Sequence, residues 1–220
     1  MKKKKKALIV LAVVLVLLLV GWWCLFLGNK IKDASAEITR GDADTKALIV
    51  YFTRSGVITA EGSTDAVTSA SMNIHDGVTE DAAMQLQRLT GADLYEIRTE
   101  RYYRKSFVGT AASAWIEETL NMRPGLAARP DNLSAYDVIY VGFPIWWFKA
   151  PMAIGTFLEG YDLSGKTIIP FCSSQDNGIE ICMDYIRSVS GGATVLDGYR
   201  FNHSSDEDVM NWLNRIGVAK

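Results

Sequence analysis

Two histidines and three cysteines in 220 residues leave little with which to hold a metal. His75 and His203 stand alone, both read as surface-loop residues, and no Cys/His cluster has zinc-ligand spacing. Of the cysteines, Cys24 lies in an apolar run. Cys172 and Cys182 could pair, but two cysteines make no disulfide framework, and two partly buried thiols are the plainer reading. There is no internal repeat and no low-complexity tract beyond one lysine run. Nor is there basic excess after residue 45: that part carries 15 Lys+Arg against 21 Asp+Glu, a net of −6. A domain this acidic is not expected to bind nucleic acid.

Charge is also missing from Ala7 to Leu27, a stretch of 21 residues. About 20 apolar residues cross a bilayer as a helix. A signal peptide has a shorter apolar region and a small-residue cleavage site close behind it. Here Ala34-Ser35-Ala36 lies far downstream, and bulky Trp23 before Cys24 argues against a lipoprotein signal. The expectation is an uncleaved transmembrane helix with Trp22 and Trp23 near its exit interface. Lys2–Lys6 precede it, so the flank 1–6 is expected in the cytoplasm and the rest outside. Residues 28–45 are polar and aperiodic and read as a linker, followed by a domain over 46–220.

Within that domain, strand and helix periods alternate. Strands are expected at 46–52, 93–97, 137–143, 166–171 and 193–199. Helices are expected at 79–91, 109–120, 151–160, 178–191 and 205–217, the last capped by Ser205 or Asp206. The strands are near-continuous apolar runs, as in a parallel sheet covered on both faces. The predicted fold is α/β: a doubly wound five-stranded parallel sheet in the order 2-1-3-4-5. In that order a ligand crevice opens at the carboxyl ends of strands one and three.

Three loops converge there. "TRSG" leaves the first strand, "GFPIWW" (142–147) leaves the third, and "FCSSQDNG" (171–178) leaves the fourth. One is rich in hydroxyls, one in aromatics, one in polar groups with a glycine. A planar aromatic ligand carrying a phosphate would use all three, its ring against Trp146 or Trp147 and its phosphate on hydroxyls and amides at a helix N-terminus.

"KALIVYFTRSG", "YDVIYVGFPIWW", "APM" and "LSGKTIIPFCSS" together resemble the flavodoxin-like FMN proteins, in particular a branch with a G-[FY]-P-I-W-W flavin loop. The resemblance covers residues 46–216. It implies noncovalent FMN, with electron transfer or flavin-dependent reduction as the activity and an unknown redox partner. The flavin carries the chemistry, so no catalytic side chain is implied. The implied cofactor residues are Thr53, Arg54 and Ser55 with Gly77, Val78 and Thr79 for the phosphate. Pro144, Ile145, Trp146, Trp147 and Phe148 would lie along the ring, and Ser173, Ser174, Gln175 and Gly178 near its polar edge. A usual flavodoxin phosphate loop is compact. Here residues 57–76 intervene and split it, with a hydroxyl at each end. Inside the insertion, "DAVTSASMN" (65–73) resembles a short flavinylation signature, but Asn73 stands where the accepting hydroxyl belongs. The reading kept is a polar loop that wraps the cofactor.

Tyr102 and Tyr103 could edge the pocket or cover a helix, while Trp115 and Trp212 read as core. Two other classes stay open: a pure electron carrier for a membrane partner, and a flavin-free envelope binding module.

Overall fold

The computed structural model describes residues 9–16, 18–19, 36–42, 45–53, 78–101, 103, 107–174 and 176–218. Of the expected transmembrane span 7–27, residues 9–16 and 18–19 are helical and the others lie outside the described residues. Among the described residues, no helix is long and apolar enough to cross a membrane.

The domain alternates strand and helix from its first strand. β1 (Ala47–Phe52) is followed by α1 (Val78–Thr90), β2 (Asp93–Ile97), α2 (Phe107–Thr119) and β3 (Val138–Pro144). Then come α3 (Met152–Leu158), β4 (Thr167–Ser173) and α4 (Glu180–Val189). The chain ends with β5 (Thr194–Val195), β6 (Tyr199–Phe201) and α5 (Asp206–Arg215). The strand order is β2-β1-β3-β4-β5, with β6 also on β4. The strand pairs are all parallel. The expected order 2-1-3-4-5 holds.

Alternate residues of each central strand feed two cores. Leu48, Val50 and Phe52 face the core under α2, α3 and α4, with Ile139, Val141 and Phe143 beside them. Ile49 and Tyr51 face the other core with Tyr140, Ile169 and Phe171, under α1 and α5. Both faces are buried, which is why the strands read as unbroken apolar runs. α1 ends at Gly91, whose φ of 68° is the left-handed turn that stops a helix. α5 begins with a capping box: Ser205 Oγ accepts from the Asp208 amide, and the Asp208 carboxylate accepts from the Ser205 amide.

The single fifth strand expected at 193–199 is instead two short pieces, β5 and β6. Pro170 explains the break. Ile168 O accepts from the Leu196 amide, so the backbone groups of every second residue of β4 face this edge. Pro170 is the next such residue, and it has no N–H to give. The opposing chain takes one residue more between Val195 and Tyr199 than β4 has between Ile168 and Phe171.

Part of the segment read as a linker lies on the edge of β2. Thr39 pairs antiparallel with Leu94, exchanging bonds of 2.9 and 2.8 Å. Asp93, at the amino end of β2, accepts from Arg40 at 2.5 Å, the Gly41 amide at 2.9 Å and the Tyr136 hydroxyl at 2.7 Å. A Cβ on Gly41 would run into the carbonyl of Gly91, so only glycine fits the close approach.

Candidate functional site

The parallel register brings the ends of β1, β3 and β4 level. Tyr51 lies opposite Gly142, and Pro144 opposite Ser173. Thr53 follows β1 directly and is fully buried. Thr79, in the first turn of α1, is also fully buried, and its Oγ1 lies 2.6 Å from Ser173 Oγ. The two residues are 94 apart in sequence. One hydroxyl donates to the other, which leaves the second hydrogen for another acceptor. The first turn of α1 adds backbone N–H groups without intrahelical partners. This donor set suits an anion, although Glu80 and Asp81 in the same turn set a limit on how much negative charge it favours.

The aromatic loop is a tight turn. Ile145 N donates to Ser173 O at 3.3 Å, and Trp146 and Lys149 exchange backbone bonds of 2.9 and 3.0 Å. Between them Trp147 and Phe148 sit at φ 48° and 64°. Positive φ at both central residues is the demand of a type I′ turn, normally met by Asn-Gly or Gly-Gly. Two aromatic residues in that conformation are strained. The turn is held by its backbone pair, by Trp147 Nε1 donating to Ala111 O at 2.8 Å, and by Lys149 pairing with Glu118 at 3.5 Å.

The two adjacent tryptophans therefore differ. Trp146 is 3% exposed and stands edge-on to Phe52 and Tyr103, with ring centroids 5.3 and 5.1 Å away. Trp147 is 44% exposed and Phe148 66%. Of the expected ring platforms, only Trp147 presents a face, and Phe148 joins it. Pro144 and Ile145 are buried in the strand end. Ser174 accepts from the Asn177 amide at 3.1 Å, a local turn near Gly178. Val78 is partly exposed at the start of α1. Arg54, Ser55, Gly77 and Gln175, the insertion 57–76 with its segment 65–73, His75 and Tyr102 lie outside the described residues.

Trp115, expected in the core, is 52% exposed. The buried side of α2 runs through Thr110, Ser113, Ala114 and Glu117, at i, i+3, i+4 and i+7, and Trp115 falls off it. Trp212 is in the core as expected. Cys172 and Cys182 are both free and fully buried. Burial holds both thiols protonated, Cys182 up to about 12, so neither is poised to react. His203 lies in an exposed loop.

A residue that sequence reasoning passed over is Glu117. It is 8% exposed and accepts the Tyr103 hydroxyl at 2.8 Å. It lies on the buried side of α2 with Thr110, Ser113 and Ala114, a stripe too polar to stand out in the sequence. A separate cavity of about 400 Å³ opens at the opposite end of the sheet, between Lys46, Asp137, Leu89 and Leu213. It faces the carboxyl ends of α1 and α5, the negative ends of the helix dipoles, so it does not share the chemistry of the crevice.

A doubly wound parallel sheet with its strand ends level at the β1/β3 switch point defines a class of proteins that bind ligands in that crevice. The family model described as Flavodoxin matches residues 66–216, and the chain belongs to that family. Among solved structures, a protein of Bacteroides uniformis described as a flavoprotein is 30% identical, with a TM-score of 0.62, over 77% of this chain and 98% of that one. One of Bacteroides eggerthii, described likewise, is 27% identical with a TM-score of 0.64, over 80% and 100%. A flavoprotein of Lactobacillus acidophilus, solved in complex with FMN, shares the fold at 20% identity and a TM-score of 0.55, over 76% and 98%. No curated protein matches the chain.

Proposed function

We propose that the chain is an FMN-carrying redox protein, held at the outer face of a membrane by its N-terminal helix. The observation that carries the flavin reading is the contact between Thr79 and Ser173. It puts a helix N-terminus and two buried hydroxyls beside the strand end that bears the aromatic turn. The residue types suit a phosphate at one side and a flat ring at the other, and the Lactobacillus protein of the same fold is an FMN complex. Thr53 and Thr79, with Arg54, Ser55 and the amides about Gly77, would hold the phosphate. Trp147 and Phe148 would cover the ring, while Trp146 stays behind them in the core. Bound FMN supplies the electron chemistry, either as a carrier or in reduction of a small acceptor. The protein binds and orients it.

Three features favour the membrane reading. Five lysines precede the uncharged stretch. Residues 9–16 and 18–19 are helical. Ile9, Val10, Leu11, Val13, Val14, Leu15, Val16, Leu18 and Leu19 are all exposed, an apolar surface with nothing of the domain on it.

Titration of the full chain in detergent with FMN tests the flavin: binding should quench FMN emission, and absence of binding refutes the reading. Thr79→Ala should weaken FMN roughly tenfold or more, since a hydrogen bond to a charged group contributes about 1.5–3 kcal/mol. Riboflavin, which lacks the phosphate, should be affected less. Protease added to intact cells tests the placement. The domain should be digested, and its protection until lysis rules out an outward-facing domain.

A further inference from the structure

Behind the exposed turn, the core holds an acid and an unanswered donor. Glu117 accepts the Tyr103 hydroxyl, and the Tyr103 ring stands edge-on to Trp146 at 5.1 Å. The Trp146 indole N–H is buried and has no acceptor among the described residues. Trp146 and Glu117 line one small cavity with Ala114, Glu118, Lys149 and Met152. Its volume of about 10 Å³ is room for a single water. A water there can accept from the indole N–H and donate to the carboxyl group, linking the two.

The charges around this cavity can be named. Burial pushes the Glu117 carboxyl up to about 7, with the Tyr103 hydrogen bond pulling the other way. Burial and the neighbouring acid keep the Tyr103 phenol protonated. Glu118 and Lys149 pair with each other, and the Lys149 ammonium also lies over the Tyr185 ring at 5.3 Å.

We propose that Glu117, with Tyr103 and one water on the Trp146 indole, is an internal proton-accepting site behind the aromatic turn, taking up a proton when negative charge is added in front of it. The trigger rests on the proposed flavin; the proton site does not. An external reductant gives its electron to the ring. Solvent gives a proton to a Glu117 carboxylate oxygen, which becomes a neutral carboxylic acid. No bond forms between the protein and the flavin.

Two measurements on the full chain in detergent test this. In the FMN-free protein, tryptophan emission should change with a midpoint near pH 7. Glu117→Gln should abolish the transition, and so should Trp146→Phe. Tyr103→Phe, which removes the bond that stabilises the carboxylate, should move the transition to higher pH. In the FMN-loaded protein reduced with dithionite, the midpoint potential should fall with pH more steeply above about pH 7 than below it, and Glu117→Gln should remove that change of slope. Absence of the emission transition, or its survival in Glu117→Gln, overturns the proton site. A slope that Glu117→Gln leaves unchanged overturns its coupling to the flavin. A chain that binds no FMN yet shows the Glu117-dependent transition overturns the flavin reading and supports the proton site.

Discussion

At the amino end of the sheet, Asp93 accepts from Arg40, the Gly41 amide and Tyr136, and a glycine stands where no side chain fits. At the carboxyl end, Trp147 and Phe148 occupy the left-handed conformation that glycine adopts freely, and the Trp146 N–H has no acceptor among the described residues. An acid is buried behind that turn. Trp147, Phe148 and the buried Glu117 break local rules at the carboxyl end, while both oxygens of Asp93 are answered at the amino end. Strain persists where the surrounding fold enforces it, and it is common at functional sites. The strained turn lies at the end where the topology opens its crevice. The contrast predicts that mutations at the amino end act on stability alone, whereas those at the carboxyl end separate stability from binding.

The largest expected effect is at the amino end. Asp93→Ala leaves the Tyr136 hydroxyl and the Gly41 amide without their acceptor and removes the side-chain ties of the strap 39–41, whose Thr39–Leu94 backbone pair remains. The loss should be roughly 3 kcal/mol in urea unfolding. FMN affinity of the folded protein should not change. The pH dependence has a definite sign. Burial raises the Asp93 carboxyl, but the Gly41 amide, Tyr136 and Arg40 together outweigh it and hold it below 3.8. Its contribution is therefore present above the unfolded value and is lost as pH falls through the folded one. A loss of FMN affinity equal to that of a crevice mutant would dissolve the distinction between the ends.

Glu117 gives the second effect, with the opposite sign. Its carboxyl is raised from 4.5 to about 7 by burial, against the pull of Tyr103. A group raised on folding contributes fully below its unfolded value, and the contribution disappears as pH rises through the folded one. The wild type should therefore lose about 3 kcal/mol relative to Glu117→Gln between pH 4.5 and pH 8. Parallel stability curves for the two proteins would show that the buried acid titrates normally.

How much of this could be read from sequence follows the same division. The strands, their order and the helices were legible because both faces of the sheet are buried and the apolar runs are continuous. Pro170 in β4 was visible, yet its consequence for the next strand depends on which way its missing N–H points, a matter of register. Trp115 departs from its expected place in the core because the stripe Thr110, Ser113, Ala114 and Glu117 sets the buried side. The levelling of the strand ends that carry Thr53, Pro144 and Ser173 was legible from the strand order. The division of labour between Trp146 and Trp147 was not, because adjacent residues are told apart only by the turn that throws one outward. The meeting of Thr79 with Ser173 spans 94 residues, and no local pattern encodes it.

The smallest effect bears most directly on the strained turn. Phe148 is 66% exposed, so little burial is lost when its ring is removed. Phe148→Ala and Phe148→Gly lose that ring equally, and their difference isolates the backbone. At an ordinary position glycine is less stable than alanine by about 0.5–1 kcal/mol, because it gives up more freedom on folding. At φ 64° an alanine Cβ crowds the carbonyl, at a cost of roughly 1–2 kcal/mol that glycine avoids. The second term is the larger, so Phe148→Gly should be the more stable of the pair by roughly 0.5–1 kcal/mol, a reversal of the usual order. At the amino end the order is the same for a different reason: Gly41→Ala should destabilise because its Cβ meets the Gly91 carbonyl, not because of its φ. Both Phe148 variants should weaken FMN alike, since each removes the same ring from the platform. If alanine proves the more stable at 148, the turn is not strained, and the exposed aromatics are held there by packing alone.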